Sequence, residues 1–207
     1  MAATGNVAAG LPNLGHTYHG GTPSSIGRSV DLEGTEAYFK DEVPQTGMAP
    51  ALKRSGRTKV CRLVRNSSGI SLLPKRAVKW ESGYRGTRVD GYCAVTAAEC
   101  AGIVDDQLPA GGVADDDLFW VVRKGPCLLL TDLAGGANNV FSDGTVVVAL
   151  TAATSQATTA GRIAPQSLTG ATAVLGGQIQ NAIGKAMSAK TTANTNADIL
   201  VDLEIIN

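Results

Sequence analysis

Apolar residues in this chain come in short runs, and glycine or proline closes them. Leu118 to Val122 is followed by Gly125-Pro126, and Cys127 to Thr131 runs toward Gly135-Gly136. The run from Thr145 to Leu150 is entered through Ser142-Asp143-Gly144. Runs of this length, β-branched and bounded by turn residues, suit strands. With glycine at 25 of 207 positions, many turns and short strands are expected in place of long helices. The fold class that follows is mainly β, a small β-barrel or sandwich-like C-terminal domain with a long irregular N-terminal arm. Hydrophobic residues are 43% of the chain but aromatics only 4%, so Val, Ile, Leu and Ala must fill its core.

Three segments divide the sequence. Residues 1–52 form an extended Gly/Pro-rich arm, because Gly20-Gly21, Pro12, Pro23, Pro44 and Pro50 interrupt regular structure and the apolar residues follow no period. Such an arm buries too little to order alone and needs another surface to lie on. Residues 53–90 form a basic β-containing segment, in which Val60, Leu63, Val64, Ile70, Leu72 and Leu73 read as strand-type runs and Pro74 ends one. Residues 91–207 form a β-rich domain. Within it, Thr96 and Glu99 make a capping-box pattern before Cys100, Ala101 and Gly102, predicting a short helix. The two runs flanking Gly125 predict a hairpin or a single strand bent there. Ala182 to Met187 predicts a strand. Ile199, Val201, Leu203 and Ile205 alternate with Leu200, Asp202 and Glu204 as a strand with one wet face.

The formal net charge is zero, but it is unevenly placed. Residues 1–90 carry 13 Lys or Arg against 7 Asp or Glu, and residues 91–207 carry 5 against 11. Opposite halves of this kind suit head-to-tail contact between copies, or docking on an acidic partner. From Lys53 to Arg88 the only acid is Glu81. Only Trp80 and Tyr84 interleave with these cations, so the aromatic platforms of a nucleic-acid surface are missing and an acidic protein surface is the expected partner. Arg54, Arg57, Arg62, Arg65, Lys75 and Arg76 are the expected contacts, arginine being suited to bidentate pairing with carboxylates.

Candidate chemistry is sparse. The two histidines, His16 and His19, lie in the arm with no nearby Cys, Asp or Glu to complete a metal set, and no G-x-S-x-G turn offers a serine to them. The Gly-Gly stretches lack the Lys-Ser/Thr ending of a phosphate loop. Asp105-Asp106 and Asp115-Asp116-Asp117 lack EF-hand spacing and read as solvated loops. Cys61, Cys93, Cys100 and Cys127 show no C-x-x-C pair and read as buried thiols. No catalytic residue, cofactor or metal is expected. No apolar stretch is long enough to span a membrane, and the first residues, lacking a basic start and an apolar run, imply residence in a cytoplasm.

Three stretches carry a family likeness: Phe119-Trp120-Val121-Val122-Arg123-Lys124-Gly125-Pro126, the small residues ending at Ala160-Gly161-Arg162-Ile163, and the closing pair Ala182 to Ala189 and Ile199 to Ile206. On these, the part from about Gly102 onward resembles bacteriophage head-decoration or cement proteins. The resemblance implies a homotrimer on the outside of an icosahedral capsid, made in the host cytoplasm, with the major capsid protein as its partner and no catalytic residues. Residues 1 to about 90 have no counterpart in that family. The competing expectations are another β-rich virion component, such as a minor capsid, tail or fibre adaptor protein, and a carbohydrate-binding module.

Overall fold

The computed structural model describes residues 15, 17–19, 32–41, 57–93, 99–131, 140–149, 161–165, 182–191 and 197–205. The strands are β1 (Tyr18–His19), β2 (Glu36–Lys40), β3 (Thr58–Asn66), β4 (Ala77–Trp80), β5 (Arg88–Tyr92), β6 (Cys100–Val104), β7 (Asp117–Leu130), β8 (Val146–Ala149), β9 (Ile163–Pro165), β10 (Ala182–Ala186) and β11 (Asp198–Glu204). No α-helix occurs among the described residues. The protein is mainly β, as the short bounded runs predict.

The strands form one sheet in the order β2-β3-β5-β4-β6-β7-β11-β10-β8-β9, with β1 paired to β7. An additional antiparallel pairing of β3 with β7 closes β3, β5, β4, β6 and β7 into a ring. The β3–β5 pair is parallel. Strands from all three sequence segments enter this sheet, since β2 pairs with β3 from Glu36↔Arg62 to Lys40↔Thr58.

β7 organises the interior. Side chains alternate across a strand, so Leu118, Trp120 and Val122 enter one core with Leu63, Ile103 and Val201. Phe119 and Val121 enter a second with Val64, Val78 and Val89. The apolar character of Leu118 to Val122 on both faces therefore reflects a strand between two cores. Of the two alternatives at Gly125, the bent strand is found: Asp117–Leu130 is continuous, and Gly125 bends it with φ of 94°, a conformation natural to glycine. The C-terminal half of β7 pairs with β11 from Asp198↔Leu130 to Glu204↔Lys124.

Three local expectations change. Ile70 to Leu73 is not a strand; Leu72 makes a single bridge to Val113, and the chain turns at Pro74. Thr96 lies outside the described residues, and Cys100, Ala101 and Gly102 belong to β6, wholly buried. Ladder pairing and burial outweigh the capping signal there. In the arm, Glu36–Lys40 does carry a strand period, with Ala37 and Phe39 buried between exposed neighbours; five residues were too few to stand out among the surrounding turn formers. The rest of the arm lies outside the described residues, apart from residues 15, 17–19 and 32–41.

Candidate functional site

The six cations expected at a partner surface are placed separately. Arg54 lies outside the described residues. Arg57 Nη2 is 2.8 Å from Asp202 Oδ2, Arg62 Nη2 is 3.2 Å from Glu36 Oε2, and Lys75 pairs with Asp198. Arg65 and Arg76 are buried, so neither offers its charge to an outside surface. Arg65 donates from Nε to Glu33 Oε1 at 2.5 Å and from Nη1 to Asp116 Oδ1 at 2.8 Å. Burial alone would lower its pKa, but Glu33 and Asp116 outweigh that and raise it. The Arg76 guanidinium lies 5.3 Å from the centre of the Tyr92 ring. The opposite charges of the two halves thus meet inside one chain: Arg57 with Asp202, Arg65 with Asp116, Lys75 with Asp198, and Arg85 with Glu99.

An open groove of about 1120 Å³ lies where β2, β3, β7, β8, β10 and β11 converge. Arg57, Lys124 and Lys185 line it together with Asp202 and Glu204, and Tyr38 stands on it with 58% of its surface exposed. Two glycines let the backbones beneath approach closely. A Cβ on Gly125 would run into the Thr58 carbonyl oxygen, and one on Gly184 into the carbonyl oxygen of Asp202. The groove therefore has a closely packed backbone floor and a rim of both charges, suited to a polar surface carrying acids and bases.

A second cluster is sealed away from water. Lys59 Nζ donates to Asp106 Oδ1 at 2.8 Å and lies 4.0 Å from Asp41 Oδ1, and all three side chains have no exposed surface. The other Asp106 oxygen, Oδ2, accepts the Leu128 backbone N–H at 2.8 Å. Asp105 is also buried and accepts N–H groups from Gly15 at 2.5 Å and Gln107 at 3.1 Å. Its pKa is pushed up to about 6, first by burial and then by the charge of Asp106, against the opposing pull of Lys59 and the two N–H donors. The reading of the two acidic clusters as solvated loops is corrected for Asp105-Asp106 and for Asp117. Asp115 and Asp116 are exposed, whereas Asp105, Asp106 and Asp117 are buried.

Sequence reasoning did not single out Lys59 or Asp41. The signal was available in the strand period, because Lys59 shares its face of β3 with Cys61 and Leu63, and Asp41 continues the series Ala37, Phe39. All four cysteines are buried thiols. Burial raises the Cys61 thiol well above its ordinary pKa, with Asp105 adding to the effect, so the thiolate needed for reactivity is disfavoured. His16 lies outside the described residues, and the His19 backbone pairs with Asp117 in β7. No protein-family model matches this chain, and no curated protein matches it.

Proposed function

We propose that this chain is a virion structural protein that decorates or cements an icosahedral capsid, acting as a homotrimer on the capsid exterior with the major capsid protein as its partner. The observation that carries this reading is spatial. The first and third stretches resembling head-decoration proteins fall in β7, β10 and β11, which are neighbours in the sheet order β7-β11-β10, while the second reaches the sheet at Ile163, the first residue of β9; separate pieces of sequence thus meet in one sheet. The groove sits on that sheet and supplies its charged contacts. Arg57, Lys124 and Lys185 meet capsid acids there, and Asp202 and Glu204 meet capsid bases. Arg62 and Lys75 are secondary contacts, with 25% and 29% of their side chains exposed.

Light scattering of the purified chain, before and after mixing with undecorated capsids, tests the reading. Trimers that co-sediment with capsids are expected, and Lys124→Glu with Lys185→Glu is expected to weaken binding tenfold or more, roughly the effect of losing two favourable charge contacts. A monomer that ignores capsids would sink the proposal. Binding to tail or fibre assemblies in place of capsids would move the assignment to another virion component.

A further inference from the structure

We propose that Lys59 and Asp106 condense to an intramolecular isopeptide bond, making this buried pair a site of self-catalysed covalent cross-linking. The inference does not rest on the capsid reading. It rests on four groups that the fold brings together, with the side chains of Lys59, Asp106 and Asp41 unexposed. The nucleophile is Lys59 Nζ, held 2.8 Å from Asp106 Oδ1. The electrophile is Asp106 Cγ. The Leu128 N–H, 2.8 Å from Oδ2, is a fixed donor to the oxygen that becomes negative when the carbon turns tetrahedral. Asp41 Oδ1, 4.0 Å from Nζ, is the proton carrier.

The step balances within the protein. An ion pair sealed in a dry interior loses the hydration that favours its charged form, which brings the neutral amine and neutral acid within reach. Nζ attacks Cγ and a C–N bond forms. Asp41 accepts a proton from the nitrogen and delivers it to Oδ1, the Cγ–Oδ1 bond breaks, and one water departs. Nothing is oxidised or reduced. Fixed geometry of this kind supplies the effective concentration that a free amine and a free acid lack. The product also removes a buried charge pair whose desolvation is expensive. Side chains with no exposure shield the finished amide from hydrolysis.

The link would tie β3 to the turn after β6, within the closed ring. The deciding experiment is the intact mass of the full chain under denaturing conditions, followed by protease digestion. The folded wild type is expected to be lighter than its sequence by one water and to yield a branched peptide joining Lys59 to Asp106. Lys59→Arg and Asp106→Ala are expected at their full sequence masses. Asp106→Asn is expected to reach the cross-linked wild-type mass, because asparagine reaches the same amide by losing ammonia. A folded wild type at its full sequence mass overturns the proposal whatever the variants do. So does a water loss that persists in Lys59→Arg, which would mark an aspartyl succinimide, or a branch at Asp41.

Discussion

The ring of Phe39 meets Trp120 edge-on, with centroids 5.1 Å apart and planes at 71°. Phe39 belongs to β2 in the arm and Trp120 to β7 at the centre of the sheet, so the contact anchors the arm to the principal core. Aromatic pairs in this geometry add about 0.5 to 1.5 kcal/mol beyond the area they bury. Phe39→Ala is expected to cost about 3 to 5 kcal/mol, lowering the melting temperature by about 10 °C for a chain of this size. The neighbouring Tyr38→Ala, at an exposed site, is expected to stay within about 0.5 kcal/mol. Thermal unfolding followed by circular dichroism separates the two; equal effects would mean that β2 is not integral to the fold.

Gly125 is the least replaceable bend. Alanine there meets both a positive φ and the Thr58 carbonyl oxygen. Gly125→Ala is expected to destabilise by about 2 to 4 kcal/mol, combining left-handed backbone strain with overpacking. Urea unfolding would register it as a lower midpoint, and an unchanged midpoint would show that β3 and β7 yield easily.

Asp105 gives the stability a defined pH dependence. Its ordinary pKa of 3.8 rises to about 6 in the folded chain, so the folded state holds this proton more tightly than the unfolded state. The associated stability is fully present below about pH 4 and is lost as the pH climbs through 6, on the order of 2 to 3 kcal/mol in all. Burial is the leading cause, so the slope survives cross-linking of its neighbours. Asp105→Asn is expected to flatten the curve between pH 4 and 6, measured by denaturant titration across that range. An unaltered slope would assign it to other carboxylates.

The ion pairs divide by burial. Glu33 is 4% exposed at its side chain and binds both Arg65 and Arg88. Removing it takes the buried partner from the Arg65 guanidinium, itself 8% exposed, and leaves it with the exposed carboxylate of Asp116, so Glu33→Ala is expected to cost about 3 kcal/mol. Arg57 and Asp202 have 43% and 42% of their side chains exposed, and Arg57→Ala is expected to change stability by less than about 1 kcal/mol. Comparing the two by chemical denaturation tests the ranking; similar losses would overturn it.

Strands with clean punctuation were legible in the sequence. β8, β10 and β11 fall where apolar runs and turn residues place them, because a strand's composition and the turn residues that bound it are local signals. The ring was not legible, since it depends on β3 and β7 pairing across residues far apart in sequence. The charged residues misled for a related reason. A list of cations from Lys53 to Arg88 suggests a basic face, whereas strand alternation sends Lys59 inward and the acidic second half folds back onto Arg57, Arg65 and Lys75. Lys59 and Asp41 were readable by period, once Cys61, Leu63 and Phe39 are recognised as their companions.

The long strand β7 also sets the order in which a growing polypeptide completes itself. Its first half finds β3 and β6 already synthesised. Its second half, Lys124 to Leu130, must wait for β11, which leaves the ribosome only near the end of the described chain. During that interval the edge of this segment that faces β11 carries unmatched amides and carbonyls, a template for wrong partners. A chain cut short before β11 is therefore expected to aggregate where the full chain folds, because that edge of β7 then stays open.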